Sequence, residues 1–298
     1  MEKRRLGVTD MHVTVLGFGG AEIGYQGASQ DTVNKLLNSA LDAGLNTIDT
    51  AVGYVNSEEM IGKAIGGRRN EFFLFSKCGR GESRDPNTWK RDALLNDIQT
   101  SLRELQTDRL DLIQLHSTPL DILKTGEAIE AIQEARDKGY VRYIGYSGDG
   151  QTAAYAVETG AFDTLQTSIN IADQQVLDLA LPKARERNMG VIAKRPVANA
   201  AWRTGKKPTE PYHHAYWDRL QELQYDFLKN DLEESVAIAL RFTLSQPGVH
   251  TAIVGTINPD RWRQNAELLK AGPLPQAQID AIRARWQEVA GKDWVGQV

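Results

Sequence analysis

The chain has 298 residues, 41% hydrophobic and 25% charged, with a formal net charge of −4. This is ordinary globular composition with ample length for a core, and no basic surface for nucleic acid stands out. The single cysteine, Cys78, excludes an intrachain disulfide and a cysteine metal cluster. No apolar leader and no apolar stretch of membrane-spanning length is present, so a soluble, cytoplasmic protein with no membrane partner is expected.

In chain order, residues 4–8 and 11–16 form a small hairpin around Thr9-Asp10, and Val13 to Phe18 flows into Gly19-Gly20-Ala21, a close-approach turn. Apolar residues at 33, 36, 37, 40 and 41 predict a helix over 31–43, closed by Gly44. Leu45 to Ile48 is the second barrel strand, and Ser57 is the expected N-cap of a short helix carrying Ile61, Ala64 and Ile65. Glu71 to Ser76 is the third strand, and a polar loop from Cys78 to Thr88 leads to a helix marked by Ala93, Leu94, Ile98, Leu102 and Leu105. Leu110 to Leu115 is the fourth strand, Ile122 to Lys138 a helix, and Val141 to Tyr146 the fifth strand, followed by a helix over 153–157.

Phe162 to Gln166 is the sixth strand, Val176 to Arg187 a helix and Val191 to Ala193 the seventh strand. The segment 198–225, rich in Trp, Tyr, His and Pro, reads as a long functional loop. A helix over 231–244, an eighth strand over 251–254, a helix over 259–269 and one tail helix complete the chain. Strand and helix alternate eight times, which predicts an α/β protein: a (β/α)8 barrel (TIM barrel) with an N-terminal hairpin and a tail helix, one domain over 1–298.

Short apolar runs stop at polar residues: Asp49, Lys77 and His116 end strands two, three and four, and Tyr54 lies in the loop after the second. In such a barrel these strand ends gather catalytic groups. A free tyrosine has a pKa of about 10, and a neighbouring ammonium lowers it. Asp49 would keep Lys77 charged, and His116 would orient a carbonyl oxygen or relay a proton. Each residue alone reads as a cap or a packed polar group; together they are a proton-transfer site for a carbonyl, whose hydride must come from a nicotinamide. A second constellation, Gly255-Thr256-Ile257-Asn258-Pro259-Asp260-Arg261 with Gln264 and Asn265, opens a helix after the last strand, where backbone N–H groups favour anions. On its own this reads as a plain helix start with a surface Arg. His213-His214 lack placed partner ligands, so no metal site is expected.

The Asp-Thr-Ala-x-x-Tyr segment at 49–54, Glu58 and Gly62 after it, Ser76-Lys77 and Leu115-His116 together resemble the aldo-keto reductase family, across nearly the whole chain. The resemblance implies an oxidoreductase reducing aldehydes or ketones with NADPH, NADH being the second candidate. It implies Tyr54 as general acid, Lys77 as its pKa modifier, Asp49 as the lysine's partner and His116 as the group orienting substrate. It also implies that Ser147 and Gln166 contact the nicotinamide carboxamide, that Gly20 and Ala21 border the cofactor, and that Thr256, Arg261, Gln264 and Asn265 hold the 2′-phosphate end.

Three positions depart from the family pattern. Gly148 replaces the usual Asn after Ser147. The segment after strand seven, expected at the nicotinamide, is Lys194-Arg195-Pro196-Val197 in place of an aromatic ring, so the Arg195 guanidinium is the expected cover for the ring. Such a cation disfavours the positively charged oxidised ring. Gly255 stands where some members carry a lysine near the 2′-phosphate. A small-molecule carbonyl substrate is expected against Glu22, Tyr25, Tyr54, Trp89, His116 and Trp202, with Tyr212, His213, His214, Tyr216 and Trp217 as further walls; their rings equally suit packing the loop down. Two other readings compete: an NADP(H)-binding sensor with weak turnover, and a lyase forming a Schiff base on Lys77.

Overall fold

The structure is a computed structural model that describes residues 1–79 and 85–297. Residues 80–84 of the expected 78–88 loop lie outside the described residues. A hairpin of β1 (Lys3–Arg5) and β2 (His12–Thr14) precedes eight parallel strands. These are β3 (Leu16–Gly19), β4 (Thr47–Asp49), β5 (Phe73–Cys78), β6 (Leu110–His116), β7 (Val141–Ser147), β8 (Thr164–Ser168), β9 (Gly190–Lys194) and β10 (Thr251–Gly255). They close in sequence order, β10 pairing with both β9 and β3. This is the (β/α)8 barrel that the alternation of elements implies.

The helices are α1 (Ala21–Tyr25), α2 (Gln30–Asp42), α3 (Ser57–Ile65), α4 (Arg91–Glu104), α5 (Leu120–Thr125), α6 (Glu127–Asp137) and α7 (Gly150–Thr159). They continue with α8 (Gln175–Leu179), α9 (Leu181–Glu186), α10 (His214–Leu223), α11 (Leu232–Leu244), α12 (Arg261–Leu268) and α13 (Gln276–Val289). Among the described residues no helix is long and apolar enough to cross a membrane.

Several boundaries differ from the sequence expectation, each for a local reason. The run 13–18 divides at Val15, its first part pairing in the hairpin and its second in the barrel. The helix expected over 122–138 breaks at Gly126, whose φ of +85° ends α5 and starts α6. That expected over 176–187 breaks at Ala180, with Pro182 in the first turn of α9. Ser57 is not a cap: the N-cap is Asn56, and the Ser57 hydroxyl instead donates to the Gly20 carbonyl at 2.8 Å. The expected loop over 198–225 carries the ten-residue α10. On that helix Tyr216 is fully buried and Trp217 packs against the same apolar cluster, while Tyr212 lies exposed just before it.

The barrel interior explains how strand ends become polar. Phe75, Leu112, Ile192 and Ile253 meet Leu6, Met11 and Val13 of the hairpin segment in one buried cluster that fills the lower barrel. Side chains two residues apart share a strand face. The same inward rows therefore continue from Phe75 to Lys77, from Leu112 to Gln114 and then His116, and from Ile192 to Lys194. A larger apolar shell lies between strands and helices, and a third cluster packs α10, α11 and α13 around Ile171, Trp202 and Tyr225.

Gly62 shows how tightly the shell is built: a Cβ there would stand 2.3 Å from the Glu104 carbonyl oxygen and 2.9 Å from the Leu105 Cα. Gly62→Ala is expected to lose about 1–3 kcal/mol in urea unfolding, since backbone rather than a flexible side chain must yield. An unchanged unfolding midpoint would show that α3 slides freely past the end of α4.

Candidate active site

Asp49, Lys77, His116, Ser147, Lys194 and Gly255 each end, or nearly end, a barrel strand, and pairing sets them on one rim. Asp49 faces Gly19 across β3–β4, Lys77 faces Gln114, and Ser147 faces both His116 and Gln166. Asp49 and Lys77 are each 1% exposed. The Lys77 ammonium donates to Asp49 Oδ2 and, at 2.9 Å, to the Thr50 carbonyl. Asp49 Oδ1 accepts from Gln114 Nε2 at 3.1 Å and Gln166 Nε2 at 2.8 Å. Ser147 Oγ in turn donates to Gln166 Oε1 at 3.0 Å.

Lys77 Nζ lies 4.9 Å from the centroid of the Tyr54 ring, and the His116 ring meets the Tyr54 ring edge-on at 5.6 Å. Tyr25, largely exposed, sits 5.8 Å from Tyr54 on the other side and donates to the Gly53 carbonyl at 3.3 Å. Burial pushes the Lys77 pKa down, but Asp49 and Tyr54 outweigh it, so the amine is held above its usual value and stays an ammonium. Burial pushes the Tyr54 phenol up and Lys77 pulls it back only in part. The net direction is upward, opposite to the lowering that an ammonium alone would give. Tyr54 is therefore a protonated phenol at neutral pH, with a cation beside it to receive negative charge as the proton leaves. Burial first, and then Lys77, Lys194 and Arg195, hold His116 well below the usual imidazole range, and its Nδ1 is buried without a hydrogen-bond partner.

Gln114 is a member of this network that the sequence reading missed. It is polar inside an apolar strand, and its signal was the period-two row it shares with His116. Asp149 is another. Its carboxylate accepts from Thr167 Oγ1, Ser168 N and Ser168 Oγ, and pairs with Lys194 Nζ at 3.0 Å and Arg195 Nη1 at 3.6 Å. Burial raises the Asp149 pKa, and the two cations more than reverse this, so it is lowered. Arg195, with φ of +55°, donates to Ser168 Oγ, the Tyr212 hydroxyl and the Gln297 carbonyl, and its guanidinium covers the Tyr212 ring at 5.3 Å. That face is therefore taken by a protein ring, and it is the Lys194 ammonium that stands in the inward row. Pro196 and Val197 lead into Ala198-Asn199-Ala200, three successive residues at φ between 46° and 54°, where Asn199 Nδ2 is buried without a partner.

Beside β10, Thr256 Oγ1 accepts from Asn258 N and Asn258 Oδ1 from Asp260 N. No side chain caps the N-terminus of α12. Arg261 and Gln264 are exposed on its first turns, while Asn265 is buried. Gly20 N donates to the Asp49 carbonyl, so Gly20 and Ala21 begin α1 at the rim, and a Cβ on Gly20 would meet Ser57 Oγ at 2.8 Å. Two residues expected as pocket walls are buried side chains. Trp89 is 2% exposed and packs its indole against Gly79 in the outer core, and Trp202 is buried in the cluster under α10. Both rings complete apolar packing. Among the described residues no group of three or more His, Cys, Asp or Glu could hold a metal; His214 contacts the Pro208 carbonyl and His213 faces Glu210.

A sequence model of the Aldo/keto reductase family matches residues 15–287. The chain belongs to that family. L-galactose dehydrogenase of Arabidopsis thaliana is 26% identical over 99% of this chain and 97% of its own. The holo form of the aldo-keto reductase AKR11C1 of Bacillus halodurans is 27% identical over 99% of both chains, with a TM-score of 0.82. An aldo-keto reductase of Klebsiella pneumoniae, solved in complex with NADPH, covers 100% of both chains at 23% identity and a TM-score of 0.78, a likeness of fold.

The depressed His116 pKa has a direct readout. Its imidazole is expected to remain neutral in an NMR titration at about pH 6.5, where a free histidine is half protonated. The neutral form is favoured in the folded state, so this group's contribution to stability is full above about pH 6.5 and is lost as pH falls toward the lower folded value. A His116 titration at the ordinary value would show that the ring is neither buried nor beside these cations as described.

Proposed function

We propose that this protein is an NADPH-dependent oxidoreductase that interconverts aldehydes or ketones and alcohols, with Tyr54 as the proton donor in reduction. The observation that carries the reading is the Lys77 ammonium, buried on Asp49 and lying 4.9 Å from the Tyr54 ring, with His116 completing the same mouth. A bound dihydronicotinamide supplies hydride to the carbonyl carbon. The remaining work belongs to the chain. Tyr54 O–H gives its proton to the carbonyl oxygen, the Lys77 charge stabilises the phenolate left behind, and neutral His116 orients that oxygen. In alcohol oxidation the phenolate takes the proton back.

The residues around the mouth fit such a dinucleotide. Ser147 and Gln166 lie side by side to meet the carboxamide, the unpartnered Asn199 amide and the left-handed turn over 198–200 offer donors beyond β9, and the uncapped α12 with exposed Arg261 and Gln264 suits a phosphate. A Schiff base on Lys77 finds no support here, because condensation needs a neutral amine and Asp49 keeps this one charged. The likeness to L-galactose dehydrogenase makes L-galactose and related sugars the first substrates to examine beside simple aldehydes.

The test is NADPH oxidation across a panel of aldehydes, ketones and sugars, with NADP⁺ reduction run in parallel. Tyr54→Phe is expected to bind NADPH nearly as the parent does while kcat falls by about 10²-fold or more. A Phe variant that reduces aldehydes at the parental rate would assign the proton to another group, and a parent that binds NADPH without turnover would favour a sensor. Arg261→Ala is expected to weaken NADPH more than NADH; equal losses would take Arg261 out of the 2′-phosphate site.

A further inference from the structure

Glu22 is a charged group near the mouth that the chemistry above does not use. It lies in the first turn of α1, three residues beyond Gly19, which pairs directly with Gly255 across the β3–β10 seam. Its carboxylate folds back over that seam. A Cβ built on Gly255 would lie 1.6 Å from Glu22 Oε2 and 2.3 Å from its Cδ. Gly255 is not among the glycines with positive φ, so its backbone does not require glycine. The Glu22 carboxyl occupies the space where a side chain at 255 would begin, so a lysine there would have to displace it.

No charged group of the protein is paired with that carboxyl among the described residues, and no other side chain among them hydrogen-bonds it. Burial pushes its pKa up and only its own backbone N–H pulls it down. Gly255 leads straight into Thr256, Asn258 and the open N-terminus of α12, so the carboxyl stands at the entrance to a segment suited to phosphate.

We propose that Glu22 sets cofactor affinity and selectivity, repelling the dinucleotide phosphates and acting most strongly against the extra phosphate of NADPH. The proposal rests on the cofactor reading above. It makes NADPH retention weaker than the Arg261 side of the site alone would give, and it narrows the preference for NADPH over NADH.

The experiment is direct binding of NADPH and of NADH to the parent and Glu22→Gln, without substrate, repeated from about pH 7 to about pH 9 so that the ionised carboxyl is sampled. Glu22→Gln is expected to tighten NADPH by about fivefold, the scale of one like-charge contact in a medium between protein and water, and NADH by less. The gain shrinks as salt rises. Unchanged or weaker NADPH binding overturns the proposal, as does an equal, salt-independent gain for both dinucleotides. A parent that binds neither dinucleotide overturns the cofactor reading and this inference with it. The steric half is tested separately by thermal unfolding. Gly255→Ala is expected to lower Tm in the parent but not in Glu22→Ala, and equal losses in both backgrounds would show that Glu22 does not occupy that space.

Discussion

The buried pair of Asp49 and Lys77 governs the mouth of this barrel. Removing an ammonium and a carboxylate from water costs several kcal/mol for each ion, which their attraction and their other hydrogen bonds must offset. Here those hydrogen bonds come from β6, β8 and the loop after β4. Lys77 gives protons to Asp49 and Thr50, and Asp49 accepts on its other oxygen from Gln114 and Gln166. The pair thus fixes the orientation of two glutamines on β6 and β8, the strands either side of β7, and through Gln166 it fixes Ser147. It also sets the local potential: the same ammonium that faces the Tyr54 ring helps keep His116 neutral.

A second ionic centre stands across the mouth. Asp149 draws in Lys194, Arg195, Thr167 and Ser168. It holds the exit of β9 in an uncommon backbone course, with Arg195 and then Ala198 to Ala200 at positive φ. Left-handed geometry at non-glycine residues persists where the surroundings over-determine it, and here three hydrogen bonds from Arg195 do so. The two centres divide the labour of the rim. One prepares a proton; the other shapes the surface beside it.

The barrel was legible because its strands are apolar runs that stop abruptly at polar residues. Asp49, Lys77 and His116 stand out at those stops, and the loop residue Tyr54 follows from them. The helix breaks at Gly126 and Ala180 were hidden because apolar periodicity continues through both. Helix α10 was hidden by its composition: Tyr216 and Trp217 drew a pocket reading, although Tyr216 is core. Gln114 and Asp149 were missed because a polar residue within or just past a strand says little until its partner across the sheet is known. Glu22 was read only as a pocket wall, and its contact with Gly255 was hidden, since 233 positions of chain separate two residues that touch only when the barrel closes.

The closure of Arg195 has a consequence for how the protein is made. Its guanidinium waits for the carbonyl of Gln297, 102 residues downstream, and Arg219 likewise waits for that of Val295. A ribosome delivers β9 long before either carbonyl exists. The nascent barrel must therefore hold its strands in place with an incompletely satisfied rim, and a segment made after all eight strands, rather than the strands themselves, locks the exit of β9.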